Sequence, residues 1–247
     1  MTLVVNHLSG GYLQRPIIHD LSFNLAPGEV VALIGLNGAG KSTTIKHLIG
    51  LMQPMQGEIL LAGNSLKSNP SQYRQDFTYI PETPILYEEL TLREHIELTG
   101  LTHGLDPKES LVQAKPLLER FRLADRLDWL PIHFSKGMKQ KVMIVTAFML
   151  DVPLYVIDEP FLGLDPLGIR DFLQVLKDKQ AKGASILMST HVLASAEKYC
   201  DRFLFLHEGR LKAQGSLSDI QASFQMPEAS LEDLYLYLAD QAGDQHG

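Results

Sequence analysis

Apolar residues near the N-terminus fall into strand-like patterns. Val4 to Leu8 is apolar with Asn6 and His7 interposed, and Leu21, Phe23 and Leu25 alternate with Ser22 and Asn24. The period of two predicts half-buried strands. Val30 to Ile34 is an unbroken apolar run between Glu29 and Gly35, which suits a strand buried on both faces. A glycine-rich turn follows, then a predicted helix from about Gly40 to Ile49, closed by Gly50. Gly57–Ala62 and Phe77–Ile80 read as further strands. The middle of the chain turns helical. Thr91-Leu92-Arg93-Glu94 forms a capping box that opens a helix ending at Gly104. Asp106-Pro107 opens another, which Pro116 is expected to kink or restart. Ser135 caps a helix running through Met149. Beyond it the pattern alternates again: a strand over Leu154–Ile157, a helix from Leu167 to Lys182 stopped by Gly183, and a strand over Ile186–Ser189. After Ile220, Ser230-Leu231-Glu232-Asp233 caps a last helix with Leu231, Leu234, Tyr235 and Leu238 on one face, a stripe expected to pack. The order is α/β core, helical insertion, α/β core, tail.

Composition narrows the class. With 247 residues and 45% hydrophobic content, the chain can build one large α/β domain with a small appendage. A net charge of −7 lacks the basic footprint of free nucleic-acid binding or of a polybasic membrane anchor. The longest apolar stretch, residues 142–150, is shorter than the ~20 residues of a membrane span. The N-terminus has no signal-peptide pattern. The expectation is a soluble chain, held at any membrane by another protein. The single cysteine, Cys200, reads as a buried or half-buried thiol in a reducing compartment.

Two segments carry chemistry. Gly35, Leu36, Asn37, Gly38, Ala39, Gly40, Lys41 and Ser42 match G-x-x-x-x-G-K-[ST], with Thr43 next in the helix. The glycines let backbone N–H groups turn inward around phosphate oxygens, and the helix adds its positive end. Lys41 supplies a cation for the β and γ phosphates and Ser42 a hydroxyl for Mg²⁺. Downstream, the apolar strand Leu154–Ile157 delivers Asp158 and Glu159 at its C-terminal end, where α/β sheets bind ligands. Asp158 suits Mg²⁺ binding through water, and Glu159 suits orientation or deprotonation of the attacking water.

With these residues in place, the chain from about residue 3 to 222 resembles the nucleotide-binding subunit of ABC transporters. Phe134-Ser135-Lys136-Gly137-Met138 stands where that family has its LSGGQ signature. Gly163-Leu164-Asp165-Pro166 is similar to the D-loop, and Ser189-Thr190-His191 to the switch histidine after the last buried strand. Tyr12 stands where an aromatic stacks on adenine; packing is its other reading. Tyr79–Pro84, His133–Lys141 and Glu159–Pro166 resemble the Ecs/Ppt-type subunits of Gram-positive bacteria, associated with export of short hydrophobic signalling peptides.

The resemblance implies a P-loop NTPase core of ABC-ATPase type with an antiparallel β-subdomain and an α-helical subdomain inserted at about 84–150. The cassette would occupy 1–222 and a helical tail 223–247. It implies ATP and Mg²⁺ as cofactors, with Glu82 standing in for the family's glutamine as a third Mg²⁺ contact beside Ser42 and Asp158, or else as a solvated loop residue. Catalysis would fall to Glu159 and His191; a capping or core role is the other reading of His191. It implies two partners: a second copy, whose Ser135, Lys136, Gly137 and Met138 would close on the first copy's ATP with Asp165 nearby, and a separate membrane permease. The location implied is the cytoplasmic face of the membrane. Lys136 replaces a glycine and Met138 a glutamine, but Ser135 and Gly137 remain to meet a phosphate. Lys136 faces either the trans ATP or solvent. Ile85 and Leu86, in the proline-stiffened loop after Glu82, are expected either to dock the permease or to join the core. A soluble switch acting on ribosome or nucleic acid is the alternative; one cassette and no sustained heptads between Gly40 and Ser135 weigh against it.

Overall fold

The computed structural model describes residues 1–13 and 15–243. Two sheets organise it. β1 (Leu3–Tyr12) lies between β2 (Arg15–Leu25) and β4 (Gln56–Leu61) in an antiparallel three-stranded sheet. The second sheet has six strands in the order β5 (Phe77–Ile80), β6 (Leu154–Asp158), β7 (Ser185–Ser189), β3 (Val30–Ile34), β8 (Arg202–His207), β9 (Arg210–Gly215). All of its pairings are parallel except β8 with β9.

Strands β3, β6 and β7 are buried at every residue, as a parallel sheet covered on both faces requires. Alternation sorts their side chains. Val31 and Leu33 join Leu154, Val156 and Leu187 in a cluster that closes against the small sheet through Leu3, Val5, Leu8 and Leu21. The helix α1 (Lys41–Leu48) is clamped in that layer by Ile45 and Leu48. On the opposite face, Tyr155, Ile157, Ile186 and Met188 pack under the helical insertion, while Ala32 and Ile34 pack under the C-terminal helices.

The insertion lies between β5 and β6: α3 (Leu92–Thr102), α4 (Pro107–Arg120) and α5 (Lys136–Phe148). Thr91 and Asp106 each complete a capping box. Pro116 does not restart the helix: α4 runs unbroken through it. The carbonyl it leaves unbonded is that of Val112, which is 72% exposed, so water can satisfy it. Ala114, Leu118 and Phe121 stay buried on the other face and hold the helix. α2 (Pro70–Gln75) has no counterpart in the sequence reading. Asn69 caps it, and its anchor is one buried side chain, Tyr73, whose hydroxyl donates to Leu48 O at 2.6 Å. A helix with one buried position has no apolar period to read.

After α6 (Pro166–Ala181) and β7 come α7 (Leu193–Tyr199), α8 (Leu217–Ser223) and α9 (Leu231–Gly243). Leu231 and Leu234 are fully buried and Tyr235 and Leu238 partly so, in the cluster that holds Ile34, Phe203 and Phe205. The tail's last residues, 244–247, lie outside the described part. Among the described residues, no helix is long and apolar enough to cross a membrane.

Cys200 is half-buried where α7 meets β8, and burial with the neighbouring Asp201 charge pushes its thiol up to about 12. Because the thiolate is the nucleophile, alkylation by iodoacetamide at pH 8 should run more than about a hundredfold slower than for a free thiol of ordinary pKa, ~8.5. A time course read by mass spectrometry checks this; a rate near that of free cysteine would contradict the packing.

Candidate functional site

The loop after β3 turns into α1 through Gly38 and Gly40, at φ 84° and 104°. These left-handed values favour glycine, which has no Cβ to clash. Gly40 is the N-cap of α1, and no side chain caps it. Thr91, Asp106 and Asp165 do cap α3, α4 and α6. The first N–H groups of α1, with no acidic residue in its first turn, are therefore free for an anion. Lys41 Nζ donates to Gly35 O at 2.7 Å and Leu36 O at 3.3 Å, which keeps the ammonium over the loop.

The parallel register brings the second element alongside. Asp158 on β6 stands opposite Ser189 on β7. Ser189 Oγ donates to Asp158 Oδ1, and the Glu159 N–H reaches both Ser189 O (3.1 Å) and Ser189 Oγ (3.2 Å). Glu159 sits at φ 48°, in the left-handed region. That conformation costs a non-glycine residue about 1–2 kcal/mol. Such strain concentrates at functional sites. Its carboxylate accepts from His191 Nδ1 at 2.7 Å and from the His191 N–H at 3.2 Å. A carboxylate only accepts, so Nδ1 carries a proton in this arrangement.

One pocket gathers these groups: Gly35, Leu36, Asn37, Lys41, Ser42, Glu82, Asp158, Glu159 and His191. Glu82 reaches it from the exposed loop after β5. Behind it the Tyr79 phenol is pushed up to about 12, by burial first and then by the charges of Asp158 and Glu82. Gly38, Ala39, Gly40 and Thr43 belong to the same loop and helix without lining the pocket. The pocket has a further lining residue, Tyr235 of α9, whose place in the apolar stripe points first to packing. Its signal in the sequence was a stripe position, and only the docking of α9 turns it toward the site.

Other sequence-selected residues stand apart from this pocket. Tyr12 is 46% exposed, which removes the core reading. Its hydroxyl accepts from Lys46 Nζ of α1 at 3.0 Å, and that bond leads in lowering its pKa. Ser135 caps α5, accepting from the Met138 N–H at 3.3 Å. Met138 packs partly into the core, whereas Lys136 is exposed. A Cβ on Gly137 would fall 2.6 Å from Gly163 O, so α5 can lie this close to the loop at 163–165 only with glycine there. Asp165 accepts from the Gly168 N–H at 2.7 Å and pairs with Lys141 at 3.3 Å; the former, then the latter, hold its carboxyl below the usual range. Ile85 is 74% exposed, but Leu86 packs against the core, so the pair expected to act together is split.

A mainly parallel sheet with a phosphate-type loop running into an uncapped helix defines the P-loop class of nucleotide-binding α/β proteins. The ABC transporter family model matches residues 18–162. The chain is 55% identical to the ABC-type transporter ATP-binding protein EcsA of Bacillus subtilis (strain 168), over 96% of each chain. It is 36% identical to the Nod factor export ATP-binding protein I of Burkholderia lata, over 81% of this chain and 66% of that one. A solved structure of the ATP-binding subunit of an ABC transporter superposes with TM-score 0.94 at 56% identity, covering 97% of this chain and all (100%) of that one. The chain belongs to the ABC transporter family, as one of its ATP-binding subunits. The core is an ABC ATPase fold, and this family hydrolyses ATP to power transport.

Proposed function

We propose that this chain is the ATP-hydrolysing motor of an exporter, working as a head-to-tail pair on the cytoplasmic face of a membrane permease. The observation that carries the reading is the division of its parts. Lys41, Ser42, Asp158, Glu159 and His191 share one pocket, while Ser135 to Met138 and Asp165 of the same chain lie outside it. The uncapped α1 terminus and Lys41 would hold the phosphates of ATP. Ser42, Asp158 and Glu82 are hard oxygen donors in that pocket, the chemistry Mg²⁺ accepts alongside phosphate oxygens and water. When bound, Mg²⁺ neutralises charge on the phosphates. Glu159 would orient the water and take its proton, with His191 holding the carboxylate in place.

The signature residues would meet a second copy's γ-phosphate through the N-terminus of α5, so ATP closes the pair and its cleavage loosens it. Direction is drawn from the Nod factor export relative, and a short hydrophobic peptide cargo from the Ecs-type likeness. The readings make three measurable claims. Glu159→Gln should still bind ATP but lose turnover by roughly 10²–10⁴-fold, and its ATP-bound pair should outlast that of wild type in size-exclusion chromatography. Near-normal phosphate release would remove Glu159 from this role. Tyr12→Ala should weaken ATP binding by roughly 1–3 kcal/mol while Tyr12→Trp is tolerated, as a stacking platform requires; equal affinities in calorimetry would end the adenine assignment. Ile85 (74% exposed) and Tyr87 (63% exposed) offer a permease an apolar contact beside Glu82. Ile85→Asp with Tyr87→Asp should leave the isolated subunit folded and ATP-binding yet abolish co-purification with its permease. Intact assembly would refute this docking surface.

A further inference from the structure

The last helix ends a chain of contacts that begins at the phosphate pocket. α7 starts two residues after His191. Its Glu197 accepts from the Leu231 N–H at 2.7 Å and so fixes the start of α9. Gln221 of α8 donates to Ala229 O at 2.7 Å, just ahead of that start. Ser230 and Asp233 close the first turn: Asp233 Oδ2 accepts from the Ser230 N–H at 2.9 Å, and Ser230 Oγ from the Asp233 N–H at 3.2 Å. Leu231 and Leu234 then seat the helix at 0% exposure. The residue after Leu234 cannot swing freely, because its backbone is held by the buried neighbour and by the capped turn.

That residue is Tyr235. Its ring packs on the cluster containing Ile34 and Phe203, and the same side chain lines the pocket with Lys41, Glu159 and His191. Among the described residues no protein group hydrogen-bonds its hydroxyl. Burial raises the phenol pKa, so the hydroxyl keeps its proton at neutral pH and remains a donor. Three carboxylates, from Glu82, Asp158 and Glu159, also line this pocket. A neutral donor among them suits an anionic ligand whose oxygens only accept. Tyr12, the adenine candidate, is not among the lining residues, which puts the shared pocket at the phosphate end.

We propose that Tyr235 is a nucleotide-contact residue whose hydroxyl donates to the terminal phosphate of ATP, so that the tail helix completes the phosphate pocket from its own chain. This rests on the reading of the pocket as the ATP site. It also makes the tail sensitive to which nucleotide is bound, because ADP lacks the group that Tyr235 grips. Loss of that phosphate would leave the Tyr235 hydroxyl without its acceptor while Leu231, Leu234 and the Glu197 contact keep α9 seated.

The test uses the full chain with Mg²⁺ and titration calorimetry, comparing ADP with the nonhydrolysable imido analogue of ATP. Tyr235→Phe keeps the ring and removes the hydroxyl. It should melt as wild type does, bind ADP unchanged and bind the analogue roughly tenfold more weakly, the size of a lost hydrogen bond to a charged group. Equal weakening of both nucleotides, or of neither, overturns the proposal. If the Phe variant melts lower, Tyr235→Gln and Tyr235→Leu replace it as a size-matched pair. Gln, which keeps a donor, must then hold the analogue more tightly than Leu, and equal affinities overturn the proposal. If Lys41→Ala binds both nucleotides as tightly as wild type does, the ATP-site reading itself is overturned instead.

Discussion

The burial of β3, β6 and β7 on both faces is the constraint from which the pocket follows. A strand covered above and below cannot slip by one residue without carrying its side chains into the wrong layer. The register is therefore fixed, and with it the pairing of Asp158 with Ser189. Loop 35–40, Asp158–Glu159 and Ser189–His191 then emerge side by side at the C-terminal ends of three adjacent strands. No loop has to search for the others.

Around those strand ends the chain tolerates local strain where chemistry gains from it. Glu159 occupies the left-handed region at φ 48°. Its N–H contacts with Ser189 and the His191 contact to its carboxylate offset the cost and hold the carboxylate over the pocket. The uncapped start of α1 is a second deliberate deficit. A helix terminus left without protein partners gains most when an anion binds there.

The helical insertion answers a different requirement. Its capping boxes and its buried stripe make it a firm body, yet it joins the core between two adjacent parallel strands, β5 and β6. Gly137 against Gly163 O places the start of α5 on the loop that leads from Glu159 into α6. Residues proposed to serve a partner's nucleotide thus rest on backbone that continues from this chain's own proposed catalytic carboxylate. Movement at one would be felt at the other through contact rather than distance.

By itself, the sequence determined the phosphate loop, the strand that carries Asp158 and Glu159, the capped helices of the insertion and the family. Each of these is local: a glycine spacing, an apolar run, a cap three residues from its partner. Its misses were also local in origin. Pro116 was expected to kink or restart the helix because a proline removes a backbone donor, but it stands on the exposed side of α4 and the helix continues through it. α2 was invisible because a single buried tyrosine makes no period. Tertiary structure alone decided that Ile85 faces out while Leu86 packs inward, that Tyr12 stands clear of the core, and that Tyr235 lines the pocket with Lys41 and Glu159. Leu234 and Tyr235 are neighbours on one apolar stripe and read alike as packing residues. Leu234 is fully buried, while Tyr235, packed partly on the same cluster, also lines the pocket; the place of α9 beside that pocket is held by contacts such as Glu197 with Leu231, far apart in the chain.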